Sequence, residues 1–196
     1  MAQQMGLGVL ANESLVFKRK YRWTFRVKWN GKQIPEAFVK VANRPSLTIE
    51  QTEINYLHGK MWIPGKGTWE TLTVSYYDIA GNGVGASGMG TMWEWLTSVY
   101  DFTNPATLQQ TSRRGRDGDQ TGWAALGFLQ MYDGTGETME TWELRNLWPA
   151  AVNFGDLDYG SSEVASLDLT MRFSEARYTP GCGVQIGQPG RLGCAN

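Results

Sequence analysis

The 196-residue sequence is poor in the side chains that most often perform catalysis or bind metals, with one histidine and two cysteines. A single histidine in a predicted loop, here His58, is usually a surface residue rather than a catalytic base. The sequence also lacks a nucleophile elbow, a metal-binding HExxH pattern and a P-loop. We therefore expect no enzymatic activity and no cofactor.

The two cysteines, Cys182 and Cys194, both lie in a glycine-rich stretch near the C-terminal end of the sequence. Eleven residues separate them, so a disulfide could close a small loop. The rest of the chain has no cysteine, which is typical of proteins in a reducing cytosol, so we favour free thiols over a disulfide. Two cysteines without a nearby histidine or aspartate do not predict a zinc site.

Neither sign of charge is in excess, since 18 Lys and Arg residues stand against 19 Asp and Glu residues. Proteins that bind nucleic acid or an anionic membrane surface usually carry an excess of basic residues, so the balanced charge argues against both functions. No run approaches the roughly 18 consecutive apolar residues that a transmembrane span requires. The start of the sequence also lacks the pattern of a signal peptide, and we expect no membrane partner.

Glycine and tryptophan are abundant, with 24 and 9 residues respectively. So much glycine indicates many turns and loops. Nine tryptophans exceed what a core of this size usually needs, and tryptophan is enriched at protein interfaces. We expect some of them to face a partner and the others to pack in the core.

Alternation of large apolar and polar residues predicts an antiparallel β domain. It is clearest over residues 21–29, where every odd position is apolar and every even one is polar. Asn30 and Gly31 follow as a strong hairpin turn signal. The other predicted elements are strands at 36–42, 46–57, 69–78, 122–132, 138–147 and 163–173, a hairpin turn at 132–136 and an exposed hairpin loop at 58–68.

One helix is predicted to begin at Thr91, because Thr91 and Glu94 have the spacing of a capping box. A long polar loop over residues 103–121 follows, of a length that is usually functional or disordered. Strands, one helix and further strands predict a mainly β, antiparallel sandwich or split barrel with one packed α-helix. The apolar face of the helix is expected to consist of Met92, Trp95, Leu96, Val99 and Tyr100.

Two local patterns suggest ligands but have simpler interpretations. Residues 83–88 form a literal GxGxxG, yet no second parallel strand with a terminal acidic residue follows about 20 residues on, so a flexible connection is favoured over a dinucleotide site. Asp156 and Asp158 lie beside glycines without the other oxygen ligands of a loop cation site. A turn is therefore favoured over a calcium site or an acid–base pair.

The most specific stretch of the sequence runs from a strand at 142–149 through Asp156, Leu157 and Asp158 into the alternating strand at 167–173. With the segments at 21–29, 49–56, 63–65 and 69–74 and the tryptophan-bearing helix, this order resembles the phage tail tube protein family. Its structural relatives are the tube proteins of contractile injection systems and the hemolysin-coregulated proteins of type VI secretion. The glycine-rich segment at 80–90, the loop at 103–121 and the tail at 179–196 depart from the family pattern.

The resemblance implies a tail-tube β domain over residues 21–178, with loop insertions at about 80–90 and 103–121. An N-terminal arm at 1–20 and a glycine-rich C-terminal tail at 179–196 flank this domain. It implies a structural subunit whose hexameric rings stack into a hollow conduit for genome ejection. The location is then the virion tail of a contractile-tailed bacteriophage, assembled in the host cytoplasm.

The resemblance also implies partners and contact residues. The expected partners are further copies of the chain, the tail sheath protein, baseplate and tail-terminator proteins, the tape measure protein, and DNA that passes through the lumen without sequence-specific binding. The arm and the hairpin loop at 57–68 are expected to make ring-to-ring contacts, although in another family both would be solvated loops. The candidate contact residues are Lys18, Arg19 and Lys20 in the arm and His58, Lys60, Trp62 and Lys66 in the loop.

Other functions remain open at this point. A tube-initiating baseplate protein or an injection-system tube subunit would have the same fold. A β-sandwich carbohydrate-binding module, from a different class, would use exposed tryptophans as a platform for sugar rings. Period-two alternation gives each strand two faces without indicating which one would line a lumen.

Overall fold

The computed structural model describes residues 18–34, 36–79, 88–100 and 122–181. Within them the chain forms ten strands and one α-helix, so the predicted mainly β fold with a single packed helix is confirmed. The elements are β1 (Trp23–Trp29), β2 (Lys32–Ile34), β3 (Val39–Ala42), β4 (Leu47–Tyr56), β5 (Gly59–Trp69), β6 (Leu72–Tyr77), α1 (Gly88–Val99), β7 (Ala125–Tyr132), β8 (Thr138–Asn153), β9 (Ser166–Arg172) and β10 (Glu175–Pro180).

Two antiparallel sheets share the long strand β8. Its first part pairs with β7 and β10, and residues 148–153 pair with β9. Sheet A therefore has the order β2-β1-β7-β8-β10, and sheet B has the order β8-β9-β6-β3. The strand changes sheets near Asn146, whose φ of 53° is left-handed, and near the irregularity between Pro149 and Ala151. Such features bend a strand at the corner of a sandwich.

The inner faces of the two sheets form one hydrophobic core, which α1 closes near β2 and β8. The indole N–H of Trp29 in β1 donates to the carbonyl of Gly122 (2.7 Å), and that of Trp95 in α1 donates to the carbonyl of Trp123 (2.9 Å). These bonds satisfy the polar atoms of two buried tryptophans. The fully buried side chains include Phe25, Val27, Leu72, Val74, Tyr76, Trp95, Leu144, Leu147, Leu167, Leu169 and Met171.

The predicted turns are confirmed. Asn30 and Gly31 join β1 to β2 with φ of 47° and 70°, the pair of positive values that a type I′ hairpin turn requires. In the turn between β7 and β8, Asp133 Oδ1 accepts hydrogen bonds from the backbone N–H of Thr135 (2.8 Å) and of Glu137 (2.9 Å). The hydroxyl of Thr135 also donates to this carboxylate, and it is the main cause of a lowered pKa of Asp133.

Several predicted strand limits are wrong. Residues 36–38 form a 3-10 turn, so the strand predicted at 36–42 begins only at Val39. The proline at position 35 has no backbone N–H to donate to a strand ladder, which disfavours a strand that begins directly after it. The strands predicted from 69 and from 163 begin at Leu72 and Ser166.

Strands β2 and β10 were not predicted. The first has only three residues, which is too short for a period-two signal, and the second crosses residue 178, where the C-terminal tail was expected to begin. The predicted end of β8 at Trp148 and Pro149 is also wrong, because the strand continues to Asn153. A proline is tolerated there because it lies next to a bulge, where a ladder N–H is not required.

The helix begins at Gly88, three residues before its predicted start, so Thr91 and Glu94 lie inside it and do not cap it. The glycines that precede Thr91 gave no helical signal, because glycine is a poor helix former. The apolar face is confirmed for Met92 and Trp95, which are buried. Tyr100 is the exception, since it follows the helix and is exposed.

Candidate functional site

Strands β4 and β5 form a two-stranded hairpin, and among the described elements they pack extensively only on each other. The exposed loop predicted at 58–68 is therefore exposed but not a loop, since the turn consists of Leu57 and His58 alone. Both strands of an isolated hairpin are edge strands, so the missing N–H of Pro64 is tolerated. Gly65 and Lys66 form a bulge opposite Glu50. A Cβ on Gly65 would lie only 3.2 Å from Glu50 Cβ, so a larger residue would be crowded there.

The outer half of this hairpin has one apolar and one polar face. Ile54 lies directly opposite Met61, and Thr52 lies opposite Ile63 on the same side. Residues that share a side of a strand pair lie close together, so these side chains form a continuous surface. We name it the apolar tip face: Ile54 (40% exposed), Tyr56 (75%), Met61 (58%) and Ile63 (42%).

The other side of the same half is polar. Glu53 lies opposite Trp62, and Asn55 lies opposite Lys60. Lys60 Nζ lies 2.7 Å from Glu53 Oε1, an ion pair within the hairpin. This side therefore pairs its own charges and exposes one large apolar side chain, Trp62 (57% exposed), whereas the apolar tip face exposes four.

A two-stranded hairpin is marginally stable at best in water on its own, and exposed apolar patches mark interaction sites. The turn is strained as well, because Leu57 has a φ of 49° and is 86% exposed. Left-handed backbone is uncommon for a bulky residue and persists where the surroundings or a function require it. These properties make the hairpin a candidate surface for binding another protein chain.

The predicted contact residues of the hairpin are brought together, but not on the apolar tip face. His58 occupies the turn, Lys60 and Trp62 lie on the polar face, and Lys66 lies at the bulge. Sequence reasoning missed Ile54 and Met61. Alternation in the strand predicted at 46–57 places Ile54 on one face, but Met61 lies in the segment predicted to be a loop and carries no such signal.

Of the predicted arm, the structure describes only the three basic residues at 18–20, all of them exposed; residues 1–17 are outside the described part of the chain. Lys18 pairs with Glu140, a carboxylate that is 3% exposed, and Arg44 Nη2 lies 2.9 Å from the same side chain. Arg19 and Lys20 are exposed. Their role in ring-to-ring contact stays a prediction.

The outer face of sheet A is a network of paired polar side chains. Arg26 Nη2 donates to Gln130 Oε1 (2.5 Å), whose amide nitrogen donates to Thr141 Oγ1 (3.4 Å). On β8, Arg145 Nε donates to Glu143 Oε1 (2.8 Å). This face is mainly polar and carries both signs of charge, with Leu126 and Phe128 as half-buried apolar members.

Sheet A ends in β2 on one side and β10 on the other, and sheet B ends in β3. In the described ranges, no further strand pairs with the outer side of these three. Free strand edges are templates for pairing with another chain. They are therefore a second candidate for contact between copies.

The predicted turn at Asp158 is present, because its Oδ1 accepts the backbone N–H of Gly160 (2.8 Å). In the part of the chain that the structure describes, no group of three or more His, Cys, Asp or Glu side chains could hold a metal ion. No helix among the described residues is long and apolar enough to cross a membrane. The two cysteines, most of the GxGxxG segment and the loop at 103–121 lie outside the described residues.

The sequence matches no protein-family model and no curated protein. Solved structures do match. A chain in the cryo-EM structure of the anti-feeding prophage baseplate, 6-fold symmetrised, has a TM-score of 0.63 and 15% identity, over 85% of this chain and 97% of that chain.

Two further assemblies contain similar chains. One is the sheath–tube complex, in the extended state, of the extracellular contractile injection system PVC, with a TM-score of 0.56 and 16% identity over 89% of this chain and 98% of that chain. The other is the SPP1 tail tube, with a TM-score of 0.50 and 8% identity over 84% and 80%. At these identities the likeness establishes the fold, so the predicted tail-tube fold is confirmed.

Proposed function

We propose that this chain is a structural subunit of a tail tube, in which hexameric rings stack into a hollow conduit for genome delivery. The observation that carries the proposal is the apolar tip face, displayed on a hairpin that projects from a tail-tube fold. The similar chains belong to a tail tube, a sheath–tube complex and a baseplate that is 6-fold symmetrised. We propose no enzymatic activity.

The hairpin supports contact between rings. A large apolar side chain gains about 1.5–3 kcal/mol when it is fully buried, and the four residues of the apolar tip face retain roughly half of their exposure. Covering one such face would contribute on the order of 3–6 kcal/mol before the costs of association. A ring repeats the contact with each copy, so a modest gain at one hairpin becomes large for the stack.

The free edges of sheet A support closure of the ring. If β10 of one copy pairs with the β1–β2 edge of the next, sheet A continues from copy to copy, and a closed ring removes both free edges. The polar outer face of sheet A, with Arg26 and Glu143, would then line the lumen. A wall that carries both signs of charge would let duplex DNA pass, because it would not hold the phosphates as a strongly basic wall would.

The proposal includes the expected partners and location. The apolar tip face, with His58 in its turn, would contact the adjacent ring, and the outer surface of the tube would meet the tail sheath protein. Baseplate and tail-terminator proteins would bind the two ends, and the tape measure protein and DNA would occupy the lumen. Residues 21–178 would be the tube domain of a virion tail assembled in the host cytoplasm.

A tube-initiating baseplate protein is the second candidate, and the likeness to a chain in a baseplate structure favours it. An initiator would form rings of the same kind but would stop at one ring, or would add to the end of an existing tube. A tube subunit would instead stack without limit. An injection-system tube subunit of the same fold would behave as the tube subunit does.

Electron microscopy of the purified full chain, with sedimentation at several concentrations, tests the proposal. We expect six-fold rings that stack into rods with a central channel as the concentration rises. Rings that never stack would favour the initiator. A monomer at every concentration, with no rings in the micrographs, would contradict both candidates.

A further inference from the structure

A cleft with an apolar floor and a basic rim lies at the base of the hairpin, between β3 and the β1–β7 pair. Its volume is about 570 Å³. The floor includes Leu129 and Met131, which are buried, and the half-buried Trp23. The rim carries three cations, Lys18, Lys20 and Arg44. Lys40 also lines the cleft, but its ammonium lies over the Tyr77 ring, 5.6 Å from the ring centroid.

One buried carboxylate organises this rim. Glu140 is 3% exposed and pairs with both Lys18 and Arg44, which fixes these two cations at the mouth of the cleft. Three cations against one carboxylate leave an excess of two positive charges at the rim. The cleft therefore suits a segment that combines carboxylates with apolar side chains.

The loop between β8 and β9, residues 154–165, has that composition. Asp156, Asp158 and Glu163 are exposed, and the loop contains no lysine or arginine. Its apolar residues are exposed as well, with Leu157 at 89% and Val164 at 63%. The loop thus combines three exposed negative charges with exposed apolar side chains.

The charged group of the cleft, which consists of Lys18, Arg44 and Glu140, lies at the opposite end of the sandwich from the loop. Glu140 is the third residue of β8, and the loop follows the last residue of that strand, Asn153. Thirteen residues of extended strand span about 40 Å, shortened here by the bend of β8. In sheet B, the N–H of Asn43, next to Arg44, donates to the carbonyl of Thr73 at one end of β6, while the N–H of Asp78 donates to the carbonyl of Ala165 at the other. Strand β3 runs between these ends, since Val39 pairs with Tyr76.

We propose that the acidic loop of one copy docks into the basic cleft of a second copy in the adjacent ring. This inference rests on the proposed function and adds a named pair of surfaces to the ring-to-ring contact. The two surfaces differ, are complementary in charge and point in opposite directions, so each copy can bind one neighbour above and one below. A contact between unlike surfaces extends without closing on itself, as a stack of rings requires. Charge pairs at the rim of a contact set its partner choice and its dependence on salt.

Two variants test the pairing through charge reversal. The loop variant is Asp156→Lys with Glu163→Lys, and the cleft variant is Lys20→Glu with Lys40→Glu, which keeps the Lys18–Glu140–Arg44 group intact. Each variant alone should form rings and melt as the unaltered chain does, while the concentration required for tubes rises at least about tenfold. An equal mixture of rings of the two variants should form tubes again. The basic loop of one variant then meets the acidic cleft of the other, and the acidic loop of the second meets the basic cleft of the first.

Isosteric variants isolate the charge. Asp156→Asn with Glu163→Gln keeps the shape of the loop, and its tube formation should fall between that of the unaltered chain and that of the loop variant. Tubes from either reversed variant alone at the normal concentration, or no tubes from the mixture, would overturn the pairing. If the unaltered chain forms no rings, the proposed function fails and the pairing fails with it, whereas tubes from the unaltered chain leave the variants to decide the pairing alone.

Discussion

The sandwich and the hairpin are built from the same antiparallel pairs, but they differ in what covers their side chains. In the sandwich, every second residue of β6, β7 and β9, and of β1 from Phe25 onwards, is buried, and Leu144 in β8 is fully enclosed. In the outer half of the hairpin, Ile54 and Met61 remain 40% and 58% exposed. The sandwich therefore buries its apolar side chains within the described part of the chain, whereas the hairpin has an apolar surface that no other described residue covers.

The largest expected change in stability is in the sandwich. Leu144→Ala removes a fully buried side chain and should lower the free energy of unfolding by about 3 kcal/mol, measured by chemical denaturation below the concentration at which the chain assembles. Ile54→Ala in the hairpin is the matched truncation, and it should cost less than about 0.5 kcal/mol under the same conditions. Equal losses for the two variants would contradict the contrast between the regions.

A smaller effect of opposite sign is expected at Tyr76. Its ring is buried in the core, and its hydroxyl has no hydrogen-bond partner among the described residues. Burial also raises the pKa of this phenol, since the charged form would be desolvated. Tyr76→Phe should raise the free energy of unfolding by about 1 kcal/mol, because it removes an unsatisfied buried group and leaves the ring in place. A loss of stability would show that the hydroxyl has a partner after all.

The part of the fold that sequence predicts well is the part whose side chains the chain itself buries. Period-two alternation is visible in β1 and β9 because one face of each packs in the core. It fails for β5, where neither face is covered and glycine and proline suggest a loop. It also fails for β10, an edge strand that contains few large apolar residues. The start of α1 was missed for another reason, because glycines precede the helical pattern.

The candidate site was predicted at the level of segments and not of faces. The segment at 57–68 was correctly predicted to be exposed, but Lys60 and Trp62 lie on its polar face, and register is required to place Ile54 opposite Met61. The basic cleft was beyond sequence reasoning, because Lys18, Arg44 and Glu140 are distant in the chain. Their meeting depends on which strands pair, and local patterns do not specify that.

The most direct test of the account is assembly by a variant of the apolar tip face. Ile54→Thr with Met61→Thr keeps good strand formers in the hairpin but removes the directly opposed pair at the centre of its apolar tip face. The matched control, Gln51→Thr with Asn55→Thr, changes the same number of residues on the opposite face. Sedimentation and electron microscopy then report assembly, and thermal unfolding reports the fold.

We predict that the apolar-face variant unfolds within a few degrees of the unaltered chain, since about 1 kcal/mol or less of stability is involved. It should form no tubes at concentrations where the control variant and the unaltered chain do. Normal tubes from the apolar-face variant would contradict the claim that this hairpin joins one copy of the chain to another.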